Sequence, residues 1–268
     1  MTLQWDPDPI AFFLPFIHHP IAWYGILFAA AFLAGSLLFR RRLAVQVKVD
    51  RLDIDVKPFC ERLTFVVVIA TIVGARLAHI LFYEPLQPYL MAPWRIVMTW
   101  EGGRARHGRV AATSAAVWRF SRCERLSLLF LLDLMVPSAA LIASVIRVGN
   151  FINQELVGKV ASVPWAVVFG HPANGAAALP RHPAQLYEAF WYMVLFALSL
   201  KTWRFKRGQL VGLFIQAIFL FRFVVEFWKE PQSVYANGLL LNMGQLLSLP
   251  MLLFGAILFA WNMRKKAA

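Results

Sequence analysis

Arg147, Asn150, Asn153 and Glu155 fall in one nine-residue window of the stretch I-R-V-G-N-F-I-N-Q-E-L-V-G, Ile146–Gly158. About twenty nearly unbroken apolar residues precede them. A guanidinium fork, two amides and a carboxylate exceed what a chain needs on leaving a bilayer. In a helical turn Arg147, Asn150 and Asn153 would share a face, because residues three and four apart lie one above the other. Gly149 and Gly158 bracket the group and let backbone or ligand come close. By residue type alone, the stretch is an interfacial loop with a capped helix end or a clasp for an anion.

Other polar residues stand in apolar surroundings. Arg76 lies in G-A-R-L-A-H-I-L-F-Y, and Arg222 lies in F-L-F-R-F-V-V-E-F with Glu226 one turn further on. A charge at the bilayer centre costs at least ~2.5–3.5 kcal/mol, so each is expected to face a bundle interior and a partner. Arginine presents a fixed fork of donors that fits phosphate oxygens. A phosphate inside a membrane is most simply a phospholipid headgroup. Asn150, Asn153 and Tyr24 are suited to glycerol hydroxyls or a phosphate oxygen. His107, in W-E-G-G-R-A-R-H-G-R, has Arg104, Arg106 and Arg109 around it. Those charges favour its neutral form, which suits proton abstraction. No tight His/Cys/carboxylate spacing of a metal site occurs, so neither a metal nor another cofactor is expected.

These residues need elements to carry them. The chain is 60% hydrophobic and 15% charged, with long apolar runs that exclude an ordinary soluble domain. An apolar run of ~18 residues reads as a transmembrane helix. Seven segments qualify in varying degree: Ile21–Phe39, Leu63–Phe82, Gly108–Phe120, Leu126–Ile146, Gln185–Leu200, Leu210–Trp228 and Met243–Trp261. The third is short and contains Arg109. The expectation is an all-α polytopic membrane protein, one domain over residues 1–268, with a periplasmic arm near 84–104 and a small periplasmic cap near 147–183. No cleavable signal peptide is expected, because the basic start that precedes a short apolar core is missing.

Charge distribution sets the orientation. The net charge is +13, but it gathers at Arg40–Arg51, Trp118–Arg125, Lys201–Arg207 and Arg264–Lys266. With seven spans all four clusters fall on one side, which the positive-inside bias makes cytoplasmic. The N-terminus is then outside and the C-terminus inside. The basic excess is orientation signal and anionic-lipid contact, not a nucleic-acid footprint. At about 1.5 Å per residue, Arg76 lies roughly 20 Å from the inner end of its helix. Tyr24, Arg76, His107, Arg147, Asn150, Asn153, Glu155 and Arg222 thus share the outer half. Asp133, near the inner end of the fourth segment, reads as a structural anchor. Cys60 and Cys123 fall on the cytoplasmic side, so they are poor candidates for a disulfide, and a thiol used outside must arrive with the substrate.

The pattern R-x-G-N-F-x-N-x-E-x-x-G resembles the signature of the prolipoprotein diacylglyceryl transferases, bacterial membrane enzymes. The resemblance extends through W-Y-G at Trp23–Gly25, G-A-R-L at Gly74–Leu77, W-E-G-G and H-G within Trp100–Gly108, and D-L-x-x-P at Asp133–Pro137. It continues with P-W at Pro164–Trp165, R-H-P-x-Q-L-Y-E at Arg181–Glu188, F-R-F-x-V-E-F at Phe221–Phe227 and G-Q-L-L-S-L-P-M. It implies transfer of the sn-1,2-diacylglyceryl group from phosphatidylglycerol to the lipobox cysteine of a prolipoprotein signal peptide in the inner membrane. The family's key roles fall on Tyr24, His107, Arg147, Asn150, Glu155 and Arg222, with His107 as base or proton shuttle. The chain departs from the pattern at Ile146, Arg104, Arg106, Arg109 and Ile218-Phe219. The alternatives are a diverged paralogue with altered lipid or acceptor, and an anion or lipid transporter. A transporter should show inverted halves with matching broken helices, and none is visible.

Overall fold

A computed structural model describes residues 2–15, 18–83, 87–94, 106–201, 207–230 and 241–264. Each apolar segment read from the sequence coincides with a helix: α1 Trp23–Asp50, α2 Val56–Tyr83, α4 Arg106–Cys123, α5 Leu128–Ile152, α6 Ala184–Leu200, α7 Gln209–Val225 and α8 Met243–Arg264. A short α3, Gln87–Met91, lies in the expected arm. Among the described residues, α1, α2, α5 and α8 are long and apolar enough to cross a membrane. The apolar helices α6 and α7 are shorter, at 17 residues each. Large apolar side chains face out: Leu33, Phe65 and Leu253 are 63%, 67% and 63% exposed. Charged ones turn in, with Arg76 at 4% and Glu188 at 0%. That inversion of a water-soluble domain fits a chain surrounded by lipid.

The helices outlast the apolar runs. α1 continues past Phe39 through R-R-R-L-A-V-Q-V-K-V-D, because Arg, Lys, Gln and Ala hold a helix well without burial. α5 continues past Ile146, so Arg147, Gly149 and Asn150 are its last turns and the turn after Ile152 carries Asn153 and Glu155. Five short strands were not expected: β1 Leu3–Trp5, β2 Ile10–Phe13, β3 Pro20–Ala22, β4 Val167–Phe169 and β5 Pro180–Arg181. β1 pairs parallel with β4, and β4 antiparallel with β5; β2 and β3 form a separate hairpin.

The chain forms two compact units, Met1–Phe39 with Leu132–Ala268, and Arg40–Leu131. In the first, Ser138 Oγ donates to Gly35 O at 2.7 Å and Ser144 Oγ to Ala189 O at 2.8 Å, joining α5 to α1 and α6. α7 and α8 cross at Gly212 and Gly255, where an added Cβ would lie 3.0–3.2 Å from the facing backbone. Asp133, as expected, is an anchor. Its carboxylate accepts from Gly208 N and, at 2.8 Å, from Val211 N, satisfying orphan donors at the start of α7. In the second unit α2 and α4 cross at Gly74 and Gly108. A Cβ on either glycine would meet the other's carbonyl and an alanine, Ala112 or Ala78. Small residues let membrane helices pack backbone to backbone. Cys60 and Cys123, also in this unit, are free thiols.

Candidate functional site

The last turn of α5 and the loop after it build a dense polar cluster in the first unit. Arg147 Nη1 donates to Asn150 Oδ1 at 3.4 Å, at the long edge of a hydrogen bond. Asn150 Nδ2 donates to Glu155 Oε2 at 3.0 Å, and Asn153 Nδ2 to Glu155 Oε1 at 3.4 Å. Glu155 N reaches back to Asn150 O at 2.8 Å, which folds the loop onto the helix end. From α6, Gln185 Nε2 fixes the Glu155 carbonyl at 2.6 Å. Tyr24 lies against α5 at Gly149, where an added Cβ would sit 2.8 Å from the ring. Glycine at that position is a requirement of this approach. Tyr24, Arg147, Asn150, Asn153 and Glu155 are therefore neighbours.

Two residues that sequence reasoning passed over complete the electrostatics. Glu188 on α6 is wholly buried and lies 3.3 Å from Arg147 Nε and 2.9 Å from Lys229 Nζ. These are ion-pair distances, although neither carboxylate oxygen has the angles of a directed hydrogen bond. Tyr192, one helical turn beyond Glu188, interacts electrostatically with Arg147. Arg222 near the end of α7 acts electrostatically on both Tyr192 and Lys229. Burial lowers the Lys229 pKa from its ordinary 10.5, Glu188 opposes that, and Arg147 and Arg222 add to the lowering. Three cations and one carboxylate thus converge beside the Asn150–Glu155 loop. The only prior sign of Glu188 was its place in R-H-P-A-Q-L-Y-E, which also reads as an ordinary helix start. Lys229 followed α7 without any distinguishing pattern.

The loop is tied to the rest of the unit through glycine again. Gly158 N donates to His182 O at 3.1 Å, and a Cβ on Gly158 would meet His182 and Trp228 O. His182 Nδ1 lies 3.0 Å from Tyr187 OH, which accepts from Trp165 Nε1 at 2.8 Å. Burial lowers the His182 pKa and favours the neutral ring.

Arg76 and His107 belong to the second unit. Arg76 is buried and its guanidinium lies 5.6 Å from the centre of the Tyr89 ring, a cation–π contact with α3. His107 is the second residue of α4. Its side chain lies outside the described residues, as do Trp100 to Arg104 and the side chains of Arg106 and Arg109. Among the described residues no group of three His, Cys, Asp or Glu side chains could hold a metal ion.

The arrangement can bind an anion in a largely dry site and present amides and a carboxylate to hydroxyl groups beside it. Residues 9–261 match the family described as prolipoprotein diacylglyceryl transferase. A protein of Tolumonas auensis called phosphatidylglycerol–prolipoprotein diacylglyceryl transferase is 40% identical over 99% of both chains. One of the same name from Porphyromonas gingivalis is 37% identical over 94% of this chain and 92% of its own. A third, from Pseudomonas aeruginosa, is 38% identical over 92% and 91%.

Proposed function

Because the chain belongs to the prolipoprotein diacylglyceryl transferase family, we propose that Arg147, held by buried Glu188 among Tyr24, Asn150 and Glu155, receives the phosphate of phosphatidylglycerol. The protein is a transferase of the first step of lipoprotein maturation. It moves the sn-1,2-diacylglyceryl group to the cysteine thiol of a prolipoprotein. The acceptor is the lipobox cysteine of the signal peptide, and the reaction lies at the outer face of the inner membrane.

The chemistry sets what the residues must do. The sulfur forms a bond to the sn-3 carbon of the diacylglycerol, and the bond from that carbon to the phosphate oxygen breaks. The thiol proton leaves, and glycerol phosphate departs with the electron pair. A phosphodiester with one negative charge becomes a monoester approaching two. Groups that bind the second charge better than the first lower the barrier. Arg147 and Arg222 do this with the charge of the leaving phosphate. Asn150, Asn153, Glu155 and Tyr24 hold the glycerol hydroxyls and fix the lipid's orientation. Glu188 occupies the Nε edge of Arg147, and the terminal nitrogens, of which Nη1 also donates to Asn150, supply the phosphate contacts. Arg76 makes a further headgroup contact, and His107 takes the thiol proton.

Seven helices span the membrane in this reading, with the N-terminus periplasmic and the C-terminus cytoplasmic, and residues of the 147–183 segment cover the outer face. The test is reconstitution of the purified protein in phosphatidylglycerol vesicles with a lipobox peptide. A thioether-linked diacylglyceryl peptide and stoichiometric glycerol phosphate are expected. Lipid movement without a thioether would support a transporter instead.

A further inference from the structure

The first strand and the residue after it grip the polar loop. Trp5 Nε1 donates to Phe151 O at 3.1 Å, and the two rings pack tilted by 33° with centroids 4.6 Å apart. One residue on, Asp6 Oδ1 accepts from Gln154 Nε2 at 2.9 Å and from His171 Nδ1 at 2.7 Å. Gln154 is 4% exposed, and both ends of its amide are used, because Oε1 accepts from His171 N at 2.7 Å. Gly170 N closes the strand onto Trp5 O at 3.1 Å, and Gly170 has no space for a Cβ beside the Asp6 carboxyl.

The gripped loop needs holding. Gln154 and Leu156 both have positive φ, +51° and +57°, a region that side chains other than glycine adopt only when their surroundings enforce it. Between them sits Glu155, whose carboxylate takes Asn150 and Asn153. Phe151 and Gln154, the two residues the strand holds, interleave with Asn150, Asn153 and Glu155. A loop that slipped here would move all three polar side chains at once.

We propose that Trp5 and Asp6 are positioning residues for lipid headgroup binding, because the first strand clamps the loop at Phe151 and Gln154 and so fixes Glu155 against both asparagines. This rests on the reading that Asn150, Asn153 and Glu155 take the phosphatidylglycerol headgroup. Neither Trp5 nor Asp6 touches the lipid; each acts through the residue it holds.

The experiment measures transfer by the full-length protein against phosphatidylglycerol concentration in mixed micelles, normalised to folded protein. Asp6→Leu leaves the buried Gln154 amide without its acceptor and should raise the KM for phosphatidylglycerol about tenfold, with smaller change in kcat. Asp6→Asn keeps an acceptor oxygen and should stay within about threefold of the parent. If Asp6→Leu does not fold, Trp5→Phe, which keeps an aromatic ring against Phe151 and loses the indole donor, carries the same expectation. An unchanged KM, with kcat lowered or not, overturns the proposal, since a merely structural contact alters how much protein folds and not how it binds. Glu155→Gln is the control. If it too leaves KM unchanged, the headgroup reading itself fails; if it raises KM while the strand variants do not, the clamp alone fails.

Discussion

Arg147 is the residue on which most of the chemistry turns, and its surroundings predict how variants behave. Arg147→Ala and Arg222→Ala should each lower transfer by about 10²–10³-fold, the usual consequence of losing a donor aimed at developing charge. Lysine should rescue poorly, because it offers a point charge in place of a fork. Glu188→Gln differs in kind. It leaves Arg147 and Lys229 as buried cations without their shared carboxylate, which costs about 3–5 kcal/mol of stability. Thermal unfolding of the solubilised protein separates that loss from Arg222→Ala, which should melt near the parent, while Arg147→Ala, which leaves Glu188 paired with Lys229, should fall between the two. His107 is tested by pH. If it takes the thiol proton, His107→Gln retains activity that rises with pH toward the thiol's own value of ~8.5. A loss uniform at every pH would sink the base assignment. The signature arginine, asparagines and glutamate were legible because four polar side chains in an apolar run demand a reason. Glu188 and Lys229 were not, since they lie 41 and 82 residues from Arg147 and only the folding of α6 and α7 joins them to it.

At the scale of elements, apolar runs located every helix among the described residues except α3, but misplaced the ends of most. Hydropathy marks what lies in lipid, whereas hydrogen bonding carries α1 on to Asp50 and α5 on to Ile152. Extending α5 is what brings Arg147 and Asn150 onto one helical face, as their spacing implied. The short strands escaped because two to four residues carry no usable alternation. Crossing points were also hidden, since a glycine's partner is visible only in three dimensions. The Gly74–Gly108 contact lies two residues from Arg76 and one from His107. Gly108→Leu should push α2 and α4 apart and abolish transfer even though no reacting group is altered. Cross-linking between cysteines placed at Thr71 and Thr113, whose hydroxyls lie 3.2 Å apart, checks the cause. Retained cross-linking with lost activity would argue against separation.

For the whole molecule, the open quantity is orientation. Seven spans with the N-terminus outside put Ser162 on the periplasmic face, so a cysteine placed there should react with an impermeant reagent in intact spheroplasts. Labelling only after the membrane is opened would reverse the topology and put the expected site on the cytoplasmic half, away from the periplasmic acceptor. The carboxylate of Asp133 gives the bundle a schedule as well as a shape. It accepts from the backbone N–H groups of Gly208 and Val211, 75 and 78 residues further along the chain. At about 5–20 residues per second, the ribosome delivers those donors roughly 4–15 seconds after Asp133 itself. During that interval α5 has entered the membrane two hydrogen bonds short at this carboxylate, which disfavours its release into bulk lipid. Biogenesis therefore couples the two helices: nascent chains halted before residue 208 should remain beside the insertion machinery, and Asp133→Leu should let them leave early.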